Sequence, residues 1–238
     1  MAKYSLYPNS VKKLFDTIAP YYDHLNHLLS LGIDIYWRRT AVKELKGVDG
    51  MILDIATGTG DVAIAILNQN KFKSKVIGLD FSPPMIMKAK KKISKMGISS
   101  RILFILGDAL SLPFSDNVFD ASIIAFGLRN IFDKQKALSE MIRVVKVGGK
   151  VIILEFTLPE KGLLSKIYPF YFRKILPWIG GMLSGNKEAY EYLPESVYQF
   201  KEIIHYETLM KGFGLKDISL HHLTSGIAFV ATGIKSTS

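Results

Sequence analysis

The chain has 238 residues, 48% of them hydrophobic and 22% charged, enough to bury about 70–75% of its unfolded surface, which excludes a disordered or fibrous protein. It has no cysteine, which excludes disulfides, thiolate zinc sites and cysteine-nucleophile mechanisms, including methylation of cytosine C5 through a thiol adduct. Thirty-one Lys and Arg against 21 Asp and Glu leave +10, compatible with nucleic acid, an anionic membrane or solubility alone.

The amino-terminal MAKYSLYPNS lacks the apolar core of a secretory signal. The longest uncharged stretch, Ile218 to Ile234, contains two His and is too short and polar for a membrane span. The expectation is a cytoplasmic protein, soluble or held at a surface.

Residues 10–45 read as helical in pieces, with Ser10 as a cap, a break at Pro20 and a second break at Gly32. Short apolar strands then alternate with helices: Met51–Ala56, Lys75–Asp80, Ile102–Leu106, Phe119–Phe126 and Val151–Glu155. This alternation predicts an α/β fold with a parallel sheet covered on both faces. Ser82 and Pro83 start a helix whose stripe is Met85, Ile86, Ala89 and Ile93, with the lysines at 88, 90, 91, 92 and 95 read as a solvated face. A helix over Asp133–Lys146 is expected to stop at Gly148-Gly149.

The segment MILDIATGTGDVA, residues 51–63, is a strand running through glycines into a helix, the pattern of a ligand-binding loop. Gly58 permits the turn and Gly60 admits a ligand to the backbone. A pyrophosphate would be repelled by Asp54 and Asp61, whereas S-adenosylmethionine brings a sulfonium and an ammonium that carboxylates suit. Asp54 also fits a purely structural hydrogen-bonding role. Asp80, about 20 residues on, suits a ribose diol. Asp108 can accept from an adenine amino group, with Leu112, Pro113 and Phe114 about the ring, or can cap a helix. Tyr21, Tyr22 and Phe126 can surround a sulfonium or simply pack in the core.

Jointly these spacings resemble the class I S-adenosylmethionine-dependent methyltransferases over about residues 50–156 and the final strands. The resemblance implies a Rossmann-like, seven-stranded, mainly parallel sheet whose last strand, about Ile227–Ile234, is antiparallel. It also implies cofactor contacts at Asp54, Gly58, Thr59, Gly60, Asp80, Asp108 and Ala109.

Two further segments, YDHLNHLLSLGIDIYWR (22–38) and FGLRN (126–130), resemble the ubiquinone/menaquinone biosynthesis C-methyltransferase family. RVVKVGG (143–149) through LEFT (154–157) is similar to that family's second signature. The chain departs from the family at Asp34, where His is usual, at Val147 for Pro, at Thr157 for Ser, and at Ala125, where a hydroxyl residue often contacts the cofactor. The resemblance implies S-adenosylmethionine-dependent carbon methylation of a prenylated quinol, demethylmenaquinol to menaquinol, with a ubiquinone-pathway benzoquinol as the alternative.

Deprotonating a quinol hydroxyl pushes electron density onto the neighbouring ring carbon, and alignment alone can supply about 7–11 kcal/mol. Arg129 can hold the phenolate-like oxygen and Asn130 orient the other, with a structural salt bridge the competing role for Arg129. His24 and His27 share a helix face without a third ligand, so no metal is expected. His221 and His222 fall on opposite faces of a strand. A nucleic-acid methyltransferase and a non-catalytic nucleotide-binding module are the remaining readings. The former lacks an Asn/Asp-Pro-Pro-aromatic motif, so no nucleic-acid partner is expected.

Lys161 to Lys187 carries five positive charges and no acid, interleaved with Tyr168, Phe170, Tyr171, Phe172 and Trp178, while Pro169 and Pro177 oppose one long helix. It is expected to form a lid, either facing the inner surface of the membrane or packed on its own domain or in a homodimer. The organisation expected is one domain: a helical cap over 1–47, a cofactor core over 48–157, a helical lid over 158–195, and a helix with strands over 196–238.

Overall fold

The computed structural model describes residues 8–69, 74–184, 187–203 and 206–237. The extreme amino terminus and the Lys187 side chain, both used above, lie outside the described residues.

Three helices come first: α1 (Pro8–Ile18), α2 (Tyr22–Leu29) and α3 (Ile33–Lys43). Pro20 falls between the first two, and Gly32, at φ +75°, starts the third. Ser10 lies inside α1 instead of capping it. The alternating unit follows as β1 (Met51–Ile55), α4 (Asp61–Gln69), β2 (Lys75–Asp80), α5 (Pro83–Lys95), β3 (Ile102–Leu106) and β4 (Phe119–Ala125). After a short 3-10 turn at Leu128–Asn130 come α6 (Lys134–Val144) and β5 (Val145–Phe156). The lid region contains α7 (Leu164–Phe170), a π turn (Tyr171–Ile175), α8 (Leu176–Ser184) and α9 (Lys187–Ile203). The chain closes with α10 (Tyr206–Gly212), β6 (Leu215–Leu223) and β7 (Ala228–Lys235).

The seven strands lie in the order β3-β2-β1-β4-β5-β7-β6. Pairings from β3 to β5 are parallel, and β7 runs antiparallel to both β5 and β6, as expected. Alternate β1 residues serve opposite faces: Ile52 packs with α3, α4 and α5, while Leu53 and Ile55 pack with α6 and α10. A third apolar cluster joins α1, α2, α8 and α9 through Ile18, Leu29, Leu176 and Val197.

One helix boundary differs from expectation. α6 stops at Val144, and Val145 is already extended at φ −83°, ψ 141°. The two glycines belong to β5, where pairing with β4 jumps from Phe119↔Val145 to Ala121↔Lys150. Gly148 takes φ +80°, and a Cβ on Gly149 would lie 2.7 Å from the Asp120 carbonyl oxygen. They build an irregularity in a strand, not a helix cap.

Contrary to expectation, Pro169 and Pro177 do not break the lid, which is helical without interruption from Leu164 to Ser184; the π turn beginning two residues after Pro169 accommodates it. His221 and His222 sit side by side on β6, opposite Val230 and Phe229, and both are exposed.

Candidate active site

β1 and β4 are neighbours whose connections leave in opposite directions, the point of an open α/β sheet where ligands bind beyond the strand ends. Both strands finish in left-handed backbone: Ala56 at φ +53° and Phe126 at φ +57°. Non-glycine residues held there cost of order 1–3 kcal/mol each, and such strain concentrates at binding sites. Gly127 allows the two turns to meet, since a Cβ on it would fall 2.6 Å from that of Ala56.

Two cavities open beside this crossing and share Phe15, Tyr22 and Phe126. The first, about 180 Å³, runs from Gly58 and Asp80 to Asp108, Ala109 and Asn130. Asp80 is its most constrained polar group. One of its oxygens accepts from Gly58 N–H at 2.8 Å and the other from Ser82 N–H at 2.9 Å. Burial pushes its carboxyl up to about 6 against these stabilising hydrogen bonds. A carboxylate held in place by these N–H groups and facing the cleft keeps lone pairs for a ribose diol, so the residues present fit S-adenosylmethionine. Asp108 is exposed at the cleft's far end, its Oδ1 accepting from Leu110 N–H at 2.9 Å. The apolar walls there come from Leu110, Ile131 and Phe132. Leu112 is instead buried in the core and Phe114 packs edge-on against Phe119, so neither brackets a ring as expected.

Several sequence-selected residues stand behind the glycine loop, outside the wall of this cleft. Asp54 is buried and accepts from Thr57 Oγ at 2.5 Å, bracing the loop, and burial pushes its carboxyl up to about 7. Thr59 donates to Asp23 at 2.5 Å and accepts from Lys92 at 3.3 Å. Gly60, at φ +85°, is needed for packing, because a Cβ would come within 2.6 Å of Phe104. Asp61 is paired with Lys92 at 2.6 Å, so it does not face a ligand as a free charge. Lys92 also holds Asp23, and Lys88 bonds the carbonyls of Ala19 and Pro20. These two lysines fasten the helical cap to α5 instead of belonging to a solvated face. Tyr21 is 52% exposed and does not join Tyr22 at the cavities.

The second cavity, about 210 Å³, is enclosed by the cap, the lid and α9. Its base is aromatic, with Phe126 and Phe156 centroids 4.5 Å apart and Trp37 edge-on to Phe156 at 5.6 Å. Two guanidinium groups, from Arg129 and Arg38, interrupt the apolar lining. Arg129 is buried, bonded to Glu155 at 2.6 Å, to the Phe126 carbonyl at 2.5 Å and to Ser196 at 3.3 Å. The salt bridge weighed from the sequence is therefore present. Asn130 donates to the Phe126 carbonyl at 3.2 Å and accepts from Tyr192 at 3.0 Å. Tyr192 and the other α9 contributions carried no sequence signal, because only tertiary packing brings them here.

Asp34 lies in the same cavity, bonded to Arg38, to Ser30 at 2.6 Å and to His27 at 2.7 Å. His24 is exposed, and no group of three potential metal ligands occurs among the described residues.

The ubiE/COQ5 methyltransferase family model matches residues 3–235. The chain belongs to this family. A ubiquinone/menaquinone biosynthesis C-methyltransferase of Geotalea daltonii is 46% identical over 226 residues, covering 94% of this chain and 96% of the relative. A demethylmenaquinone methyltransferase of Thermus thermophilus is 45% identical over 221 residues, covering 92% and 99%. Among solved structures, a putative S-adenosylmethionine-dependent methyltransferase of Methanococcus maripaludis has a TM-score of 0.64 at 21% identity, covering 94% of this chain and 95% of its own. The [4+2]-cyclase SpnF scores 0.62 at 18% identity, covering 96% of each chain, so the fold alone does not specify the reaction. Family membership does: this ubiE/COQ5 member is an S-adenosylmethionine-dependent methyltransferase of the class I fold.

Proposed function

We propose that the enzyme methylates a ring carbon of a prenylated quinol, demethylmenaquinol, with the corresponding benzoquinol of the ubiquinone pathway as the second reading. The observation that carries this is the pair of cavities meeting at Phe15, Tyr22 and Phe126, one with a diol-accepting carboxylate and one aromatic with two guanidinium groups. When bound, S-adenosylmethionine supplies a methyl group on a sulfonium.

The chain's own residues do the rest. Asp80 and Asp108 hold and orient the adenosyl end, with Gly58, Ala109 and Asn130 in the same wall. The faces of Tyr22 and Phe126 favour positive charge at the junction. Loss of the hydroxyl proton raises electron density on the adjacent ring carbon, and Arg129 holds the oxygen as it becomes anionic. The ring carbon gains a methyl group and loses one proton. Phe126, Phe156 and Trp37 keep water from the ring and fix its plane.

The lid supplies a route for the prenyl chain. Tyr168, Tyr171 and Phe172 line the cavity from one side of the segment. Its other side exposes Leu163, Ile167, Phe170, Trp178 and Met182 at 51–72% beside Lys166 and Lys174. This face suits the headgroup level of an anionic membrane without spanning it. No helix among the described residues is long and apolar enough to cross a membrane. Anaerobic incubation with methyl-labelled S-adenosylmethionine and each demethylated quinol tests the reading, which predicts label on a ring carbon.

A further inference from the structure

The second cavity contains a cation that the sequence reading did not use. Arg38, on α3, is 9% exposed, and its guanidinium lies 5.4 Å from the centroid of Phe126. Arg129 takes the equivalent position over the next ring, 5.2 Å from the centroid of Phe156. Two guanidinium groups therefore cover two adjoining aromatic rings in the wall of one cavity.

Their hydrogen-bonding states differ. Arg129 uses Nη1 on Glu155 and the Phe126 carbonyl and Nε on Ser196. Arg38 uses only Nη1, on Asp34, and its Nε and Nη2 have no hydrogen-bond partner among the described residues. Asp34 is itself fixed by Ser30 and His27. Asp61, the other carboxylate acting on Arg38, is bonded to Lys92. A guanidinium only 9% exposed, with unused donors beside an aromatic wall, gains a charged hydrogen bond from an acceptor that enters the cavity.

We infer that Arg38 binds a ring oxygen of the substrate, opposite the one held by Arg129, so that the site recognises a 1,4-dioxygenated ring. Asp34 is a positioning residue that fixes the guanidinium through Nη1. The inference rests on the quinol reading and deepens it. A ring with one oxygen leaves one guanidinium without its acceptor, and that difference is the source of specificity.

The test is equilibrium binding, under anaerobic conditions and without cofactor, of 1,4-dihydroxynaphthalene and of 1-naphthol. The native protein is expected to prefer the diol by about tenfold or more, the scale of one charged hydrogen bond. Arg38→Gln should reduce that ratio to about one to threefold, through weaker diol binding, while 1-naphthol affinity stays nearly constant. Arg38→Lys, which retains a cation, should restore most of the preference, and S-adenosylhomocysteine affinity reports that either variant is folded. A diol preference unchanged in folded Arg38→Gln, or no preference in the native protein, overturns the inference while leaving the quinol reading standing if demethylmenaquinol is turned over. Failure of the native protein to bind either naphthol or to turn over either quinol overturns that reading instead.

Discussion

Glu155 grips Arg129 twice, accepting from Nη1 at 2.6 Å and from the backbone N–H at 3.1 Å. The carboxylate is fully buried at the end of β5, so it fixes both the side chain and the turn after β4. Removing one member of a buried pair strands the other and costs about 3–5 kcal/mol. Arg129→Gln and Glu155→Gln should each lower stability on that scale, and the double variant should lose clearly less than their sum. Denaturant unfolding of the four proteins measures this, with additive losses contradicting the coupling. Arg129→Gln should also reduce turnover more than cofactor affinity.

Asp80 predicts a pH dependence. Burial raises its folded pKa to about 6, above the ordinary 3.8, so the free folded protein binds more protons than the unfolded chain between about pH 4 and 6. Through that window the Asp80 contribution makes the free protein less stable as pH rises. A ribose diol donates to the ionised form, so cofactor affinity should weaken as pH falls through about 6. Calorimetry between pH 5 and 7 checks it. Asp80→Asn should bind more weakly and lose this Asp80-linked slope, and affinity that rises on acidification would contradict the assignment.

Gly60 separates packing from ligand contact. A Cβ there meets Phe104 at 2.6 Å in backbone of positive φ, so Gly60→Ala should lose about 1–3 kcal/mol of stability. Cofactor affinity of the folded fraction should be retained. Thermal unfolding with calorimetry distinguishes this from weak binding at unchanged stability, which would return Gly60 to the ligand wall.

That Gly58, Asp80, Asp108 and Ala109 line one cleft was legible in the sequence, because they sit on strand ends whose order follows from local βα alternation. Gly148-Gly149 misled because two glycines after an apolar helical stripe signal a helix end. Their real constraint is the Asp120 carbonyl, visible only once β5 pairs with β4. The protein partners of Asp54, Thr59 and Asp61, namely Thr57, Asp23 and Lys92, are set by side-chain packing and carry no signal in the sequence. Arg38 was part of a recognised motif, yet nothing in its spacing says that it lies over Phe126. The second cavity joins residues of the cap, the lid and α9 that are up to about 180 positions apart, beyond the reach of periodicity.

The lid's outward face predicts attraction to anionic vesicles. Arg173 is a poor test because its guanidinium carbon stacks 3.7 Å from the Tyr198 centroid. Lys166 and Lys174 are exposed, and each cation near anionic lipid contributes about 1 kcal/mol. Reversing both to Glu should cut vesicle sedimentation by about tenfold or more at low salt, and Trp178→Ser should reduce it further. Turnover of a short-chain quinol should persist in these variants. An unmodified protein that stays in the supernatant at low as well as moderate salt would contradict membrane docking.

The most direct measurement follows the labelled methyl group. The protein, methyl-labelled S-adenosylmethionine and either demethylmenaquinol or the demethylated benzoquinol are incubated anaerobically, and the products are resolved by mass. The account predicts label on a ring carbon of the naphthoquinol, with one proton released per methyl transferred. Label on a quinol oxygen, or no transfer to either quinol by protein that binds the cofactor, would contradict it.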